Sequence, residues 1–301
     1  MAPNVVTRVT FKNILFATDF SDVSQHALLH AIATAKRYDS KLTVVHVAPP
    51  EAQTPIPMEP VPLEFDWQKT KAAESMARLE DFEPLHMYPH QTILKQGNPW
   101  LEMSTIVADK AIDLIVLGTH GRGLMGTLLL GSVAEQVLRH ATCPVLTIGP
   151  DVVASLVDRQ QLSHILFATD FSEGSMHALP YALSLAEEND AALTLMHVLE
   201  ELHPMPVEYS KELLADYRQR LWDLIPADAT MWCKPEVAVE IGDAAGSIVR
   251  TAHDKLVDLI VMGVHPGGTV ASHLPWTVVH SVVRHARCPV LTTRGIHSVD
   301  C

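Results

Sequence analysis

An internal repeat limits what this chain can fold into more than any other feature. Lys12 to Val47 and Ser163 to Val198 align without a gap at an offset of 151, with 19 identities in 36 positions. The shared run ILFATDFS spans Ile14 to Ser21 and Ile165 to Ser172. A second block aligns at an offset of 145: Gly97 with Gly242, Asp113-Leu-Ile-Val with Asp258-Leu-Ile-Val, Gly118 with Gly263, and Arg139-His140 with Arg284-His285. Cys143-Pro-Val-Leu-Thr147 likewise recurs as Cys288-Pro-Val-Leu-Thr292. The offset falls by six because the first copy carries a longer insert, the proline-rich Pro49 to Pro62. At roughly 100–200 residues per domain, a 301-residue chain suits two domains. We expect domain 1 over residues 1–150 and domain 2 over residues 161–301, with the boundary near Pro150 to Gln161.

Within one copy, short apolar runs alternate with longer amphipathic ones. Lys12 to Thr18 and Leu42 to Ala48 read as strands, and Asp22 to Tyr38 sets Ala27, Leu28, Ala31, Ile32 and Ala35 at helical spacing. Further on the pattern predicts a helix over Glu64 to Phe82, a strand near Gln91 to Lys95, a helix over Pro99 to Lys110 and a strand over Asp113 to Leu117. A helix from about Gly131 and the strand Val145 to Ile148 complete the copy. Strands apolar on both faces and alternating with helices indicate a parallel sheet covered on both sides. Each copy is therefore expected to be a doubly wound, Rossmann-like α/β domain with a five-stranded parallel sheet.

Composition removes several classes of function. The 48% hydrophobic and 19% charged residues suit a chain with a buried core. A net charge of −13 and no basic run disfavour nucleic acid as a partner. Four scattered cysteines, with no CxxC pair, read as reduced thiols in a cytoplasmic protein. No signal-peptide pattern and no stretch of about 20 apolar residues is seen, so no membrane association is expected.

In open parallel sheets, ligands sit beyond the carboxyl ends of the strands, where the strand order reverses. Thr18-Asp-Phe-Ser21 follows the first strand. After the fourth comes Gly118-Thr-His-Gly121-Arg-Gly123-Leu-Met-Gly126, with Gly131-Ser132 opening the last helix. Glycine lets a ligand approach the backbone, and a helix N-terminus offers free N–H groups and a dipole that favours phosphate. Such a loop can cradle phosphates, with Ser132 adding a hydroxyl and Arg122 a cation; the plainer alternative is a surface loop in which Ser132 is a first-turn residue. Gly121 to Gly126 spells GxGxxG, but after the fourth strand rather than the first, and no P-loop motif occurs.

Gly118-x2-Gly121-x9-Gly131-Ser132 after a fourth strand, with an aspartate closing the first, resembles the ATP-binding signature of the universal stress protein family. The resemblance covers nearly the whole chain as two tandem copies. It implies strand order 3-2-1-4-5 and, in members with this signature, bound ATP. On that likeness Asp19 and the backbone of Ala17 and Val47 face the adenosine. Leu117 and Gly118 flank the ribose, and Gly121, Arg122, Gly131, Ser132 and Val133 hold the phosphates, with Mg²⁺ or Mn²⁺ on them where a metal is bound. In the family, dimers form through the last strand, so the two copies are expected to pair as an intramolecular pseudo-dimer, with a homodimer of chains and unknown protein partners left open.

The second copy departs from the signature. Gly121 becomes Pro266, Gly131 becomes Trp276 and Ser132 becomes Thr277, although Asp170 persists. Proline lacks an N–H and the indole adds bulk where phosphate would approach. We expect this copy to lack normal ATP binding. Among the 17 histidines, His26 and His30 have a helical i, i+4 spacing but no third ligand, and read as solvated; His46 and His197 read as packed in the fold. No nucleophile with an orienting base stands out, so no catalytic residue is assigned. The sequence thus favours an ATP-binding stress-response protein that acts through partners. A slow metal-dependent ATPase or phosphotransferase, or a nucleotide-free scaffold, are the alternatives.

Overall fold

A computed structural model describes residues 8–48, 74, 77–78, 81–119, 130–152, 161–200, 207–264 and 276–295. The first copy runs β1 (Asn13–Ala17), α1 (Asp22–Tyr38), β2 (Lys41–Ala48), β3 (His90–Gln96), α2 (Pro99–Asp109), β4 (Leu114–Gly118), α3 (Ser132–His140) and β5 (Val145–Ile148). The second runs β6 (His164–Ala168), α4 (Glu173–Met176), α5 (Leu179–Asn189), β7 (Ala192–Leu199), α6 (Val207–Trp222), β8 (Pro235–Ile241), α7 (Ala244–Asp254), β9 (Leu259–Val264), α8 (Trp276–His285) and β10 (Val290–Arg294). A short 3₁₀ turn at Glu83–Met87 precedes β3 and was not legible in the apolar pattern. The Pro49 to Pro62 insert and most of the expected Glu64 to Phe82 helix lie outside the described residues.

Each copy is a parallel sheet, and the order is β3-β2-β1-β4-β5 in the first and β8-β7-β6-β9-β10 in the second. This is the doubly wound order 3-2-1-4-5, twice. The strand period of two splits the side chains between two cores. Ile14, Phe16, Val44, Leu114 and Val116 face one side, and Leu15, Val45, Ile115 and Leu117 the other. Both cores continue through the second copy, with Phe167 and Val261 in one and Leu166 and Ile260 in the other.

β5 and β10 pair antiparallel and join the halves into one ten-stranded sheet. Leu146 pairs with Leu291, its own counterpart in the repeat. Thr147 Oγ1 donates to Val290 O at 3.1 Å, and the mirrored bond, Thr292 Oγ1 to Val145 O, is 3.3 Å. A local two-fold axis therefore passes through the Leu146–Leu291 pair. On the α1 and α5 side of the sheet, Arg37 lies 3.8 Å from Glu188, again its own counterpart. The Glu188 side chain is 4% exposed and also accepts from Tyr38 Oη (2.8 Å) and Ser184 Oγ (3.2 Å). His30 sits at this seam and is 9% exposed, which corrects its reading as a solvated helix residue; burial lowers its pKa to about 4. His26 is exposed.

The first helix differs between copies. In the first it is one 17-residue helix; in the second Pro180, at the position of Leu29, interrupts it into α4 and α5. Proline has no N–H to continue the ladder. Burial raises the Cys143 and Cys288 thiols to about 12 and Cys233 to about 11, so none is a thiolate nucleophile near neutral pH. Among the described residues no helix is long and apolar enough to cross a membrane.

Candidate functional site

The turn after β1 is built by its own side chains. Thr18 Oγ1 accepts from Phe20 N–H at 3.0 Å, and Asp19 Oδ1 accepts from the Ser21 N–H (3.0 Å) and hydroxyl (2.7 Å). Ser21 then caps α1 by accepting from Ser24 N–H at 3.2 Å. The turn forces Phe20 to φ 65°, and its counterpart Phe171 to φ 61°, a region strained for an aromatic residue. His46 Nδ1 lies 2.7 Å from Thr18 O and its ring 4.5 Å from that of Phe20; His197 repeats the contact on Thr169 O at 2.8 Å. Both histidines are packed into this turn, as expected of them.

Beyond the carboxyl ends of β1 and β4 lies a cleft of about 340 Å³. Ala17, Asp19, Val47, Leu117, Gly118, Gly131, Ser132 and Val133, eight of the ten residues expected to contact nucleotide, line it together. Gly121 and Arg122, like His120, lie outside the described residues. Sequence reasoning missed Thr18, Ser24, Val45, Pro99, Met103, Thr119 and Ala134. Pro99 and Met103 were recoverable from their i, i+4 spacing on α2, since α2 and α3 cover the same face of the sheet. Asp19 is the one ionisable side chain among the described residues that line the cleft.

The start of α3 opens into this cleft. Gly131, its N-cap, has no side chain to cap the first turn, and Gly131 N–H bonds Thr119 O at 2.8 Å. The N–H groups of Ser132, Val133 and Ala134 have no acceptor within the helix and suit an anion. Gly131 has φ −62° and ψ 140°, a conformation open to any residue. Nothing in the backbone demands glycine there, so what glycine supplies is room. Gly118 is different: a Cβ on it would lie 3.1 Å from Val23 Cγ1 and 3.2 Å from Ser24 N. Glycine at 118 lets the start of α1 pack on β4.

The second copy closes the corresponding place. Ala168, Thr169 and Asp170 are 1%, 2% and 9% exposed, whereas Ala17, Thr18 and Asp19 are half-buried. Val23 is replaced by Gly174, and α4 sits so close to β9 that a Cβ on Gly263 would fall 2.2 Å from Gly174 O. Met196 adds volume where the first copy has Val45, and it is buried together with Met262, the counterpart of Leu117. An open cleft of about 500 Å³ does occur between α7 and α8, lined by Glu200, Asp243, Thr277 and Ser281 among others, but it does not reach β6. Its two carboxylates are a poor lining for phosphate. Among the described residues no group of three or more His, Cys, Asp or Glu is placed to hold a metal ion.

The fold and the position of this cleft place the chain in a class of α/β proteins whose ligand site lies where the strand order reverses. Residues 10–149 and 162–294 each match the universal stress protein family, and the chain belongs to it. A universal stress protein of Methanocaldococcus jannaschii is 33% identical over 144 residues, covering 46% of this chain and 82% of that protein. One of Thermus aquaticus is 35% identical over 141 residues, covering 46% of this chain and 98% of that protein. A solved universal stress protein from Archaeoglobus fulgidus aligns with a TM-score of 0.65 over 95% of this chain and 98% of its own, at 23% identity, a likeness of fold.

Proposed function

We propose that this universal stress protein holds one ATP in its first domain, residues 1–150, and that its second, residues 161–301, has lost the phosphate site. The observation that carries this reading is Gly131: an uncapped helix start whose backbone does not require glycine, opening on a cleft that contains Asp19. Ala17, Asp19 and Val47 would take the adenosine and Leu117 and Gly118 the ribose end. Gly121, Arg122, Gly131, Ser132 and Val133 would take the phosphates, with any Mg²⁺ or Mn²⁺ carried on the phosphate oxygens. The two halves work as an intramolecular pseudo-dimer, and the protein acts by nucleotide-dependent signalling to partners in the cytoplasm.

The test is calorimetric titration of the full chain with ATP and with adenosine. Saturable ATP binding that adenosine displaces is expected; no binding of either would overturn the reading. Asp19→Asn retains an oxygen for the two Ser21 bonds and removes the charge, and it should weaken ATP and adenosine alike, by about tenfold. Unchanged affinity for both would leave Asp19 with the turn alone.

A further inference from the structure

The described lining of the first-copy cleft contains one carboxylate and no cation. Arg122 is proposed above for the phosphates, and a second cation stands near at hand in the second copy. The axis through Leu146 and Leu291 relates the contacts of β5, α3 and their surroundings to counterparts 145 residues away in the second copy. At one end of the seam Arg139, on the last turn of α3, places its guanidinium 4.4 Å from the centre of the Trp276 ring. The same side chain is held by Glu135, one turn back, at 2.9 Å, and Arg294 donates to Arg139 O at 2.5 Å. Arg139 is thus stacked and paired.

At the other end each of those partners is missing. The counterpart of Arg139 is Arg284, on the last turn of α8. In the repeat, Gly131 takes the place of Trp276, Gly149 that of Arg294, and His280 that of Glu135. The proximity of this end of α8 to the cleft is direct. A Cβ on Gly149 would lie 3.5 Å from Ala286 O, 3.7 Å from Val283 O and 3.8 Å from Oγ1 of Thr119, which lines the cleft. Arg284 Nε is buried without a hydrogen-bond partner among the described residues. It is a half-buried guanidinium whose Nε has no acceptor, on the helix end that packs against Gly149 beside the cleft.

We infer that Arg284 of the second copy completes the phosphate site of the first, donating to the phosphate oxygens of a nucleoside triphosphate held at Gly131–Val133. The inference rests on the ATP reading above. It gives the second copy a function that its own degraded loop does not: it supplies a cation across the seam. It also makes the site dependent on both halves.

The experiment is titration of the full chain, wild type and Arg284→Gln, with ATP and with adenosine, after checking the fold by circular dichroism and thermal unfolding. Loss of about tenfold or more in ATP affinity, with adenosine affinity unchanged, is expected. Equal weakening of both ligands would mean that Arg284 only supports the seam, and unchanged ATP affinity would mean that it does not reach the phosphates; either overturns the inference and leaves the ATP site standing. A wild type that binds neither ligand would overturn the ATP reading itself and the inference with it. Arg139→Gln removes the stacked and paired arginine at the other end of the seam, on the far end of α3, and it should leave the ratio of ATP to adenosine affinity where it is. Should Arg284→Gln fail to fold, Arg284→Lys retains the charge without the planar fork and should show a smaller loss, again confined to ATP.

Discussion

Gly131→Trp should remove ATP binding from a chain that still folds. The change gives the first copy the residue that the second carries at Trp276, and Gly131 already has a backbone conformation that tryptophan adopts without strain. What changes is access: the indole stands at the mouth of the first turn of α3, where Ser132, Val133 and Ala134 N–H face the cleft. Charge-assisted hydrogen bonds contribute about 1.5–3 kcal/mol each, so losing two costs at least about a hundredfold in affinity. Adenosine, which does not reach those groups, should bind more nearly as before. Titration with both ligands checks this, and a Gly131→Trp protein that binds ATP normally would place the phosphates elsewhere.

Gly263→Ala should have the largest effect on stability of any single methyl added at the described glycines that close the strand ends. Its Cβ would fall 2.2 Å from Gly174 O and 2.4 Å from Ser175 Cα, both backbone atoms of α4, so the helix must move. Overpacking of this kind costs about 3 kcal/mol, or roughly 5–10 °C in Tm for a domain of this size. Gly118→Ala, its counterpart, meets Val23 and Ser24 only at 3.1–3.2 Å and should cost about 1 kcal/mol. Thermal unfolding of the two variants gives the comparison. Equal losses would mean that α4 is not pressed more tightly on its sheet than α1 is.

The architecture was legible because it rests on local patterns. α1 at Asp22–Tyr38 and β5 at Val145–Ile148 coincide with their expected bounds, and the other first-copy strands differ by a residue or two at their ends. The cleft was legible because glycines and an aspartate fell after strands one and four. What escaped is what depends on residues far apart in the chain. His30 reads as an exposed helix residue until the second copy is packed over α1. The closing of the second cleft comes from small exchanges, Val23 to Gly174 and Leu29 to Pro180, which the alignment displays but whose effect requires α4 to be seen against β9. The seam held its own signal: Arg37 and Glu188 are aligned positions of opposite charge, which is informative only once the axis that brings them face to face is known.

The measurement that bears most directly on a single working site is the number of ATP molecules bound per chain at saturation, by equilibrium dialysis of the full-length protein with labelled ATP. One per chain, falling to none in Gly131→Trp, is the result expected here. Two per chain would show that Trp276 and the closed ends of β6 and β9 still admit a nucleotide, and none would show that the first-copy cleft does not hold one.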